Sequence, residues 1–568
     1  MRAGAGSGRG SGGTAAGLFG AALLVAGVVL GGGGAYAQPS ATPTGSASPG
    51  GRPTGNAQGD EDRGHGSGGD RGEGGEKHDR DDRNSTGPGN RHSGSPHPSS
   101  GTTAAVPPAS GSTGTRPPGT GSTATGSTAP AAPAAPAGSA RPAPAGAVLA
   151  AVEAGPGTGL PTAQGLQQAL ATVLADRNLG TVGLAVADAA DGRLLYGSEE
   201  NTAATPASTT KLATAVAALS LIPGDTRLST RVVKSAATGG ITLVGGGDPT
   251  LTALPADQVL IGGVPADPDT APASLDALAR QTAAALRTAG TTAVALDYDV
   301  SLYTGALLHR NHDGENIAAV TPLMVDEGKA DPRSREDAPA RVADPAGHAA
   351  EAFAALLRAE GITVQARPKP AAAPAPADAP VLGRVDSPTV ARLVERLLTT
   401  SDNTLSEAIA RQAAIAAHQP ASFEGAATAV TREIGRLGVS TTGVVLNDGS
   451  GLHPNNAVPP VALVGLLGLA ASAQHPALRP VLTGLPIAGF TGTLGKRFGA
   501  NSGAAEAAGL VRAKTGSLSG VNTLAGTVVD ADGRLLTFAL MTRTTAPADT
   551  ARAAMDRVVA RLAACGCR

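Results

Sequence analysis

The segment PASTTKLATAVAALSLI, residues 206–222, places a serine and a lysine at the start of a long apolar helix. Ser208 and Lys211 are three residues apart, and side chains at positions i and i+3 are neighbours on a helix. The lysine nitrogen can therefore reach the serine oxygen and, when neutral, accept the hydroxyl proton. Burial or a nearby cation lowers a lysine pKa toward the range that this role needs. The segment predicts a nucleophilic serine activated by lysine, although a single S-x-x-K match also arises by chance in a chain of 568 residues.

Two short motifs with matching chemistry follow along the chain. SDN (residues 401–403) supplies a second hydroxyl group and an amide, and KTG (residues 514–516) supplies a cation, a hydroxyl group and a glycine that lets a substrate lie against the strand. Each tripeptide alone has an ordinary interpretation, the first as a turn or helix N-cap and the second as a strand end. Their occurrence in this order, with the first motif on a helix and the last on a strand, favours one catalytic site built from all three.

The set S-x-x-K, S-D-N and K-T-G resembles the penicillin-recognising serine enzymes, which include penicillin-binding proteins and the class A and C β-lactamases. Further segments are similar specifically to the D-alanyl-D-alanine carboxypeptidase/endopeptidase family, the type-4 class C low-molecular-mass penicillin-binding proteins. They are LVGGGDPTL (243–251), NDGSGL (447–452), LPIAGFTGTLGKRF (485–498) and KTGSLSG (514–520). The resemblance covers nearly all of residues 147–568, and that family carries an insertion between its first two motifs. β-Lactamases lack the insertion, so they are the minor interpretation.

The resemblance implies a role for each motif residue. Ser208 is the expected nucleophile and Lys211 its general base. Ser401 and Asn403 form the middle of the site, with Ser401 placed to pass a proton to the leaving D-alanine. The backbone N–H groups of Ser208 and Ser517 are expected to form the oxyanion hole. Lys514 and Thr515 should hold the terminal carboxylate of the donor peptide, and the residues expected to bind substrate are Lys514, Thr515, Gly516, Ser517 and Asp299.

The implied reaction is hydrolysis of peptidoglycan stem peptides that end in D-Ala-D-Ala, through an acyl-enzyme on Ser208. This is a serine-type carboxypeptidase activity, and endopeptidase activity on cross-linked peptides would use the same residues. β-Lactams are expected to acylate the same serine as covalent inhibitors, and no metal ion or organic cofactor is required. Two alternatives stay open: a serine β-lactamase or esterase of the same superfamily, and an inactive wall-binding sensor that keeps the fold.

Two positions bear on the substrate side chain. Asp299 opens the stretch DVSLY, which resembles a D-x-S-x-aromatic stretch whose aspartate contacts the amine of diaminopimelate in the family; the alternative is a strand-end turn. After NDGSGL many relatives continue with Ser-Arg, and that arginine binds the carboxylate of the same side chain. This chain has His453 and Pro454 instead, so His453 or another group takes over, or recognition of that carboxylate is weaker. Asp448 and Ser450 in the same loop are expected to be structural.

The pattern along the chain predicts an α/β (α+β) fold. VGLAVADAADGRLLYG predicts two strands joined by a turn, the last segments alternate like antiparallel strands, and a helix closes the chain. The resemblance implies a penicillin-recognising serine transpeptidase-like domain, an antiparallel sheet flanked by helices, with a mainly β inserted region. We expect the catalytic domain to occupy residues 147–227 and 391–568, and the inserted domain or domains to occupy 228–390, where short strands and one clear helix (273–290) occur.

The N-terminal region has the pattern of an export signal followed by a linker. Arginines precede an apolar run over residues 15–30, and the A-x-A sequence that ends at Ala37 predicts cleavage of a signal peptide, residues 1–37. The alternative is an uncleaved membrane anchor. Residues 38–146 are rich in Gly, Ser, Pro and Ala and predict a disordered linker. The enzyme is therefore expected to be exported, either extracellular or associated with the cell wall at the outer face of the cytoplasmic membrane.

Composition excludes several other classes of protein. Aromatic residues make up 2% of the chain and the net charge is -2, so the basic footprint of a nucleic-acid-binding protein is missing. Two cysteines are too few for a disulfide scaffold or a cysteine-based metal site. Cys565 and Cys567 lie in an exported protein, where oxidation is favoured. A disulfide between them closes a very small ring, so intermolecular pairing or two free thiols also remain open.

Overall fold

The computed structural model describes residues 159–235, 239–261 and 264–568, which lie in one compact unit. The predicted signal segment and linker, residues 1–146, fall outside the described residues. The strands, in chain order, are β1 (Thr181–Asp188), β2 (Leu194–Ser198), β3 (Arg227–Lys234), β4 (Gly240–Val244), β5 (Leu260–Ile261), β6 (Val264–Pro265), β7 (Ala293–Asp299), β8 (Thr363–Val364), β9 (Lys369–Pro370), β10 (Val381–Thr389), β11 (Val511–Leu518), β12 (Val521–Val529) and β13 (Leu535–Arg543). The helices are α1 (Ala163–Leu174), α2 (Lys211–Leu221), α3 (Leu275–Thr288), α4 (Pro345–Ala359), α5 (Val390–Thr400), α6 (Asn403–Ala416), α7 (Phe423–Arg436), α8 (Pro460–Ala471), α9 (Arg479–Thr483) and α10 (Ala548–Ala563).

A five-stranded sheet with the order β11-β12-β13-β1-β2 joins the two ends of the described chain, and all of its neighbours are antiparallel. Side chains alternate between its faces, as the strand period of two requires. Leu184 and Val186 pack with α1 and α10 on one face, and Ala185 packs with α2 and α8 on the other. Both faces are covered, which explains why the three inner strands, β12, β13 and β1, are buried along most of their length.

Helix α2 lies at the centre of the group of helices that covers the Ala185 face of the sheet. Every residue from Lys211 to Leu219 is buried, and the helix packs against α5, α6, α7 and α8. Four of the nine residues are alanine, whose small side chains let these neighbours approach closely. The lysine at the first position of α2 is therefore carried into the interior of the domain.

A second, mixed sheet is built from the strands between Arg227 and Thr389. Its order is β10-β3-β4-β7-β8, with β9 also paired to β7; β4, β7 and β8 run parallel, while β10, β3 and β4 run antiparallel. Helices α3 and α4 share its apolar cluster; sequence patterns indicated only the first of them. Arg227 pairs with Thr389, so the chain enters and leaves this sheet at adjacent positions. From Thr389, which caps α5, the chain runs directly into the helix that ends at Ser401.

The C-terminal cysteines face each other. The sulfur atoms of Cys565 and Cys567 are paired, with their Cα atoms 5.1 Å apart, which lies within the range of a disulfide. Of the open alternatives, the structure thus has the intramolecular pair.

Within the described residues no single helix is long and apolar enough to span a membrane. The one helix pair that passes on length and composition, Pro460–Ala471 with Pro476–Thr483, is bent by 111°.

Candidate active site

Ser208 lies on a short 3₁₀ turn, Ala207–Thr210, which leads directly into α2. The residue before it, Ala207, is buried and has φ 47°, a conformation that costs a non-glycine residue free energy and is concentrated at functional sites. Gly451 packs directly against this turn. Its φ is 85°, and a Cβ on it would lie 1.9 Å from the Ala207 carbonyl oxygen. Because only glycine allows this close approach, the loop that contains Gly451 is fixed directly against the serine turn.

The Lys211 amino group has three oxygen neighbours. Its Nζ atom lies 2.9 Å from Ser208 Oγ, 2.6 Å from Asn403 Oδ1 and 2.7 Å from the carbonyl oxygen of Ser450. Asn403 Oδ1 and the Ser450 carbonyl accept hydrogen bonds, so they bind two N–H groups of a neutral amine. The lone pair is then left facing Ser208 Oγ, which is the orientation that a general base needs.

Burial sets the charge state of Lys211. Removal from water lowers the pKa of its amino group from 10.5 to about 8, although Asp448, Glu407 and Asp402 oppose this by favouring the charged form. A pKa near 8 makes a substantial neutral fraction available close to neutral pH. Lys514 is also buried, and its pKa is well below the ordinary value because of burial and, secondarily, the charge of Lys211.

We expect acylation to become faster as the pH rises toward the Lys211 pKa. With a pKa of about 8, roughly 1% of the amine is neutral at pH 6 and half at pH 8. The maximal acylation rate constant should therefore rise roughly 50-fold between pH 6 and pH 8 and level off above pH 9. Stopped-flow measurement with saturating penicillin checks this, and a rate constant that is flat or falls over this range contradicts it.

The SDN motif connects two helices. Ser401 follows α5 in the left-handed conformation, with φ 62°, and Asp402 caps α6 by accepting the N–H of Leu405 at 2.7 Å. The motif is thus the N-cap that its sequence indicated, and it also faces Lys211 and Lys514. Asn403 Oδ1 accepts from Lys211, while Ser401 Oγ accepts from Lys514 Nζ at 2.8 Å.

The KTG motif lies on β11, at the edge of the five-stranded sheet beside the serine turn. A Cβ on Gly516 would lie 3.0 Å from the Ser208 nitrogen and 2.8 Å from the Pro206 carbonyl oxygen, so glycine is what allows the strand to approach so closely. Thr515 Oγ1 and Thr493 Oγ1 are 2.7 Å apart. Ser517 is exposed on the same strand. The structure therefore brings the serine turn, the SDN motif and the KTG motif together.

Two buried carboxylates, Glu407 and Asp448, lie near Lys211. The sequence analysis named Asp448 but not Glu407. Glu407 is completely buried and accepts the backbone N–H groups of Gly449, at 3.0 Å, and Ser450, at 2.7 Å. Asp448 accepts from His309, Gly451, His453 and Asn456. These bonds fix the peptide whose carbonyl contacts Lys211, so Asp448 has the structural role expected of it. The signal for Glu407 was its position four residues after Asn403, on the same face of α6.

Asp299 lies elsewhere, at the end of β7 in the second sheet. Its carboxylate is buried and accepts the backbone N–H groups of Ser301, at 2.8 Å, and Ala375, at 2.7 Å. This is the arrangement of the strand-end turn that was the alternative interpretation. Within the described residues, its hydrogen bonds do not join it to the group around Ser208.

His453, which stands where many relatives have serine, is paired with Arg310, a residue from the part of the chain that forms the second sheet. Its Nε2 atom lies 3.0 Å from Arg310 Nη1, and its Nδ1 atom accepts the N–H of Asn455 at 3.1 Å. Burial lowers the His453 pKa, so the ring is neutral at physiological pH and accepts from the guanidinium group. At His453 the positive charge is thus supplied by Arg310 rather than by the histidine itself.

A cavity of about 700 Å³ adjoins the motif residues. Ser401, Asn403 and Thr493 line it, together with segments around Leu260 and Arg341 that lie between Arg227 and Thr389 in the chain. Among the described residues, no group of three or more His, Cys, Asp or Glu side chains could hold a metal ion. The motif residues themselves present hydroxyl, amine, amide and backbone N–H groups.

The chain is similar in sequence to known proteins. The sequence profile of the D-Ala-D-Ala carboxypeptidase 3 (S13) family matches residues 166–340 and 332–562. The chain belongs to this family. The S13 enzyme is 36% identical over 417 residues to a carboxypeptidase of Mycobacterium tuberculosis, an alignment that covers 72% of this chain and 85% of the relative. It is also 36% identical over 415 residues to the carboxypeptidase DacB of Mycolicibacterium smegmatis, with the same coverage.

The fold of the S13 enzyme is similar to that of a solved relative. The crystal structure of penicillin binding protein 4 from Haemophilus influenzae superimposes with a TM-score of 0.53 and 20% identity, over 70% of this chain and 98% of that chain. The predicted family and the predicted α/β fold are thus confirmed. The chain is a serine-type D-Ala-D-Ala carboxypeptidase, as its sequence indicated.

Proposed function

We propose that Ser208 is the nucleophile of the S13 enzyme and Lys211 its general base. The observation that carries this proposal is the arrangement of the Lys211 amino group. Two of its three oxygen neighbours accept hydrogen bonds, and the third is Ser208 Oγ at 2.9 Å. A lysine held in this way, with a pKa of about 8, can take the serine proton while the oxygen attacks a carbonyl carbon.

The proposed reaction has two steps. Ser208 Oγ attacks the carbonyl carbon between the last two D-alanine residues, its proton passes to Lys211, and the backbone N–H groups of Ser208 and Ser517 stabilise the oxyanion. The C–N bond then breaks. Ser401 passes a proton to the departing amine and takes up the proton held by Lys211, so the lysine is neutral again for the second step. Water hydrolyses the ester on Ser208 in the second step, releasing the shortened peptide and the free serine.

Lys514 and Thr515 are proposed to bind the terminal carboxylate. Lys514 Nζ already donates to Ser401 Oγ and to the Thr515 carbonyl oxygen, both at 2.8 Å. Its pKa is low because it is buried and lies near Lys211, and an incoming carboxylate favours its charged form. The same contacts suit the carboxylate of a penicillin, so β-lactams should acylate Ser208. Gly516 is proposed to keep the strand close to the substrate.

The substrate is proposed to be a peptidoglycan stem peptide that ends in D-Ala-D-Ala, and cross-linked stems are included. The cavity of about 700 Å³ begins at Ser401 and at Thr493, which contacts Thr515. Those residues face the departing amine and the terminal carboxylate, so the cavity extends from the leaving-group side. Its volume lies in the range of roughly 300–1,000 Å³ that is typical of sites for drug-sized ligands. This volume has room for a leaving group longer than one alanine, which supports the proposal of DD-endopeptidase activity beside carboxypeptidase activity.

Purified muropeptides test this range of substrates. Incubation of the full chain with monomeric pentapeptide stems should release D-alanine, and incubation with cross-linked dimers should release monomers, both scored by product mass. Ser208→Ala serves as the matched control for contaminating hydrolases. Dimers that stay intact while D-alanine is released would restrict the enzyme to carboxypeptidase activity.

The domain division and the location are proposed on the same basis. The adjacent entry and exit of the second sheet, at Arg227 and Thr389, support an inserted region over residues 228–390 between catalytic parts 147–227 and 391–568. The family acts on the cell wall, so the enzyme is proposed to be exported through segment 1–37 and carried on linker 38–146. Membrane anchoring applies only if that N-terminal segment is not cleaved. Asp299 is retained as a proposed contact of the stem side chain.

A further inference from the structure

Arg341, a residue of the inserted region, makes three hydrogen bonds with one guanidinium group. Its side chain is only 3% exposed. Nε donates to the Glu315 carbonyl oxygen at 3.0 Å, Nη1 to the Glu327 carbonyl oxygen at 2.8 Å, and Nη2 to Asp402 Oδ2 at 3.1 Å. A planar guanidinium group can serve acceptors in several directions at once, whereas an ammonium group on the same backbone position cannot reproduce this geometry.

Two of these acceptors adjoin the contacts of Asn403. Asp402 precedes Asn403 in the chain, and its other carboxylate oxygen caps α6. Glu315 precedes Asn316, whose carbonyl oxygen accepts from Asn403 Nδ2 at 3.0 Å. Arg341 therefore holds both the backbone beside the Asn403 side chain and the segment that receives its amide. The other end of that amide, Oδ1, is the atom 2.6 Å from Lys211 Nζ.

The third acceptor is the backbone carbonyl of Glu327, and the side chain of this residue fixes its position. The Glu327 carboxylate is buried between Lys329 Nζ, at 2.6 Å, and Arg396 Nη2, at 2.5 Å. Arg396 lies on α5, the helix that ends at Ser401. Arg341 and Glu327 thus link the inserted region to both helices that flank the SDN motif.

We infer that Arg341 is a positioning residue of the catalytic site, which orients Asn403, and through it Lys211, from the inserted region. The inference rests on the proposed roles of Ser208, Lys211 and Asn403. Arg341 need not touch the substrate or the reacting atoms, because it acts through Asp402 and the Asn316 carbonyl. Displacement of a catalytic group by about 1 Å can cost on the order of 100-fold in rate, so loss of the guanidinium group should be visible in the kinetics of folded enzyme.

Acylation by fluorescent penicillin tests the inference, because it measures two quantities on the full chain. The amount labelled at saturation counts folded sites, and the rate constant reports the geometry of each site. Arg341→Met should lower the acylation rate constant about 30-fold while most chains still label. Asp402→Asn keeps an N-cap oxygen for α6 but removes the charge that pairs with Arg341. Measured above pH 9, where the charge state of Lys211 no longer limits acylation, this variant should have a rate constant about fivefold lower than the wild type. In the double variant the two losses should not multiply, because each single substitution already removes the same Arg341–Asp402 pair.

Arg384→Met is the matched control, since Arg384 is an exposed arginine of the same inserted region that pairs with Asp386; its rate constant should equal that of the wild type. Where Arg341→Met labels only a small fraction of chains, Arg341→Lys and Asp402→Asn, evaluated per labelled site, decide the question. Wild-type rate constants in these variants, or losses that multiply, overturn the inference and leave the proposed site intact. Failure of the proposed site is a different result, namely labelling that survives Ser208→Ala.

Discussion

Ser208→Ala removes D-alanine release from a D-Ala-D-Ala peptide, with an expected loss of roughly four orders of magnitude or more. The physical reason is that no covalent intermediate can form once the hydroxyl oxygen beside Lys211 is gone. Binding need not change, because the proposed carboxylate contacts, Lys514 and Thr515, stay in place. Steady-state assay of free D-alanine measures the loss.

Ser220→Ala is the matched control for this substitution. Ser220 lies on the same helix as Lys211 but bonds to Glu433 and Arg436. Its replacement should leave D-alanine release within about twofold of the wild type, as expected for sites away from the chemistry. A Ser208→Ala enzyme that retains more than a few per cent of activity would show that another group is the nucleophile.

Lys211→Met lowers acylation by about three orders of magnitude, within the range for loss of a positioned general base. The variant keeps an unbranched side chain but offers no lone pair to Ser208 Oγ, and it leaves Asn403 Oδ1 and the Ser450 carbonyl without their shared donor. The acylation rate constant with penicillin, compared with the amount labelled at saturation, measures the effect on folded enzyme.

Lys211→Arg separates the base from the charge. Arginine keeps a cation among Asp448, Glu407 and Asp402 but cannot lose a proton at neutral pH. If the role is that of a base, Lys211→Arg should be about as slow as Lys211→Met. Near-wild-type acylation by Lys211→Arg would mean that Lys211 serves through its charge instead.

The local part of the site could be predicted from sequence. Two side chains at i and i+3 on one helical turn must be neighbours, and Ser208 and Lys211 are. The cap at Asp402 and the strand position of Lys514 likewise follow from short-range patterns. The order of the motifs indicated the class of penicillin-recognising serine enzymes, and the further similar segments indicated the specific family.

The long-range part could not be predicted in this way. The Ser450 carbonyl reaches Lys211 across 239 residues, and Arg341 reaches Asp402 across 61 residues. Neither contact leaves a periodic signal, since one uses a backbone atom and the other an arginine in a loop. The burial of Asp299 beneath the backbone of Ala375 is of the same kind, because it depends on where a Pro-Ala segment folds back.

The same distinction applies to the fold. The β1–β2 hairpin and the final strands follow from local alternation, but the pairing of β1 with β13 closes the sheet between opposite ends of the described chain. Helix α4 was not predicted because alanine makes up much of its sequence. Its apolar face therefore differs little in hydrophobicity from its opposite face. Its burial against β7 and α3 comes from packing rather than from a strong sequence period.

The most direct test of the account is the site of the acyl group. The full chain is labelled with penicillin and digested, and the mass of each peptide is measured. We predict one adduct with the mass of the intact penicillin, on Ser208, and none in the Ser208→Ala chain. An adduct on Ser401, Ser517 or any other residue, or labelling of Ser208→Ala, would contradict the assignment of Ser208 as the nucleophile.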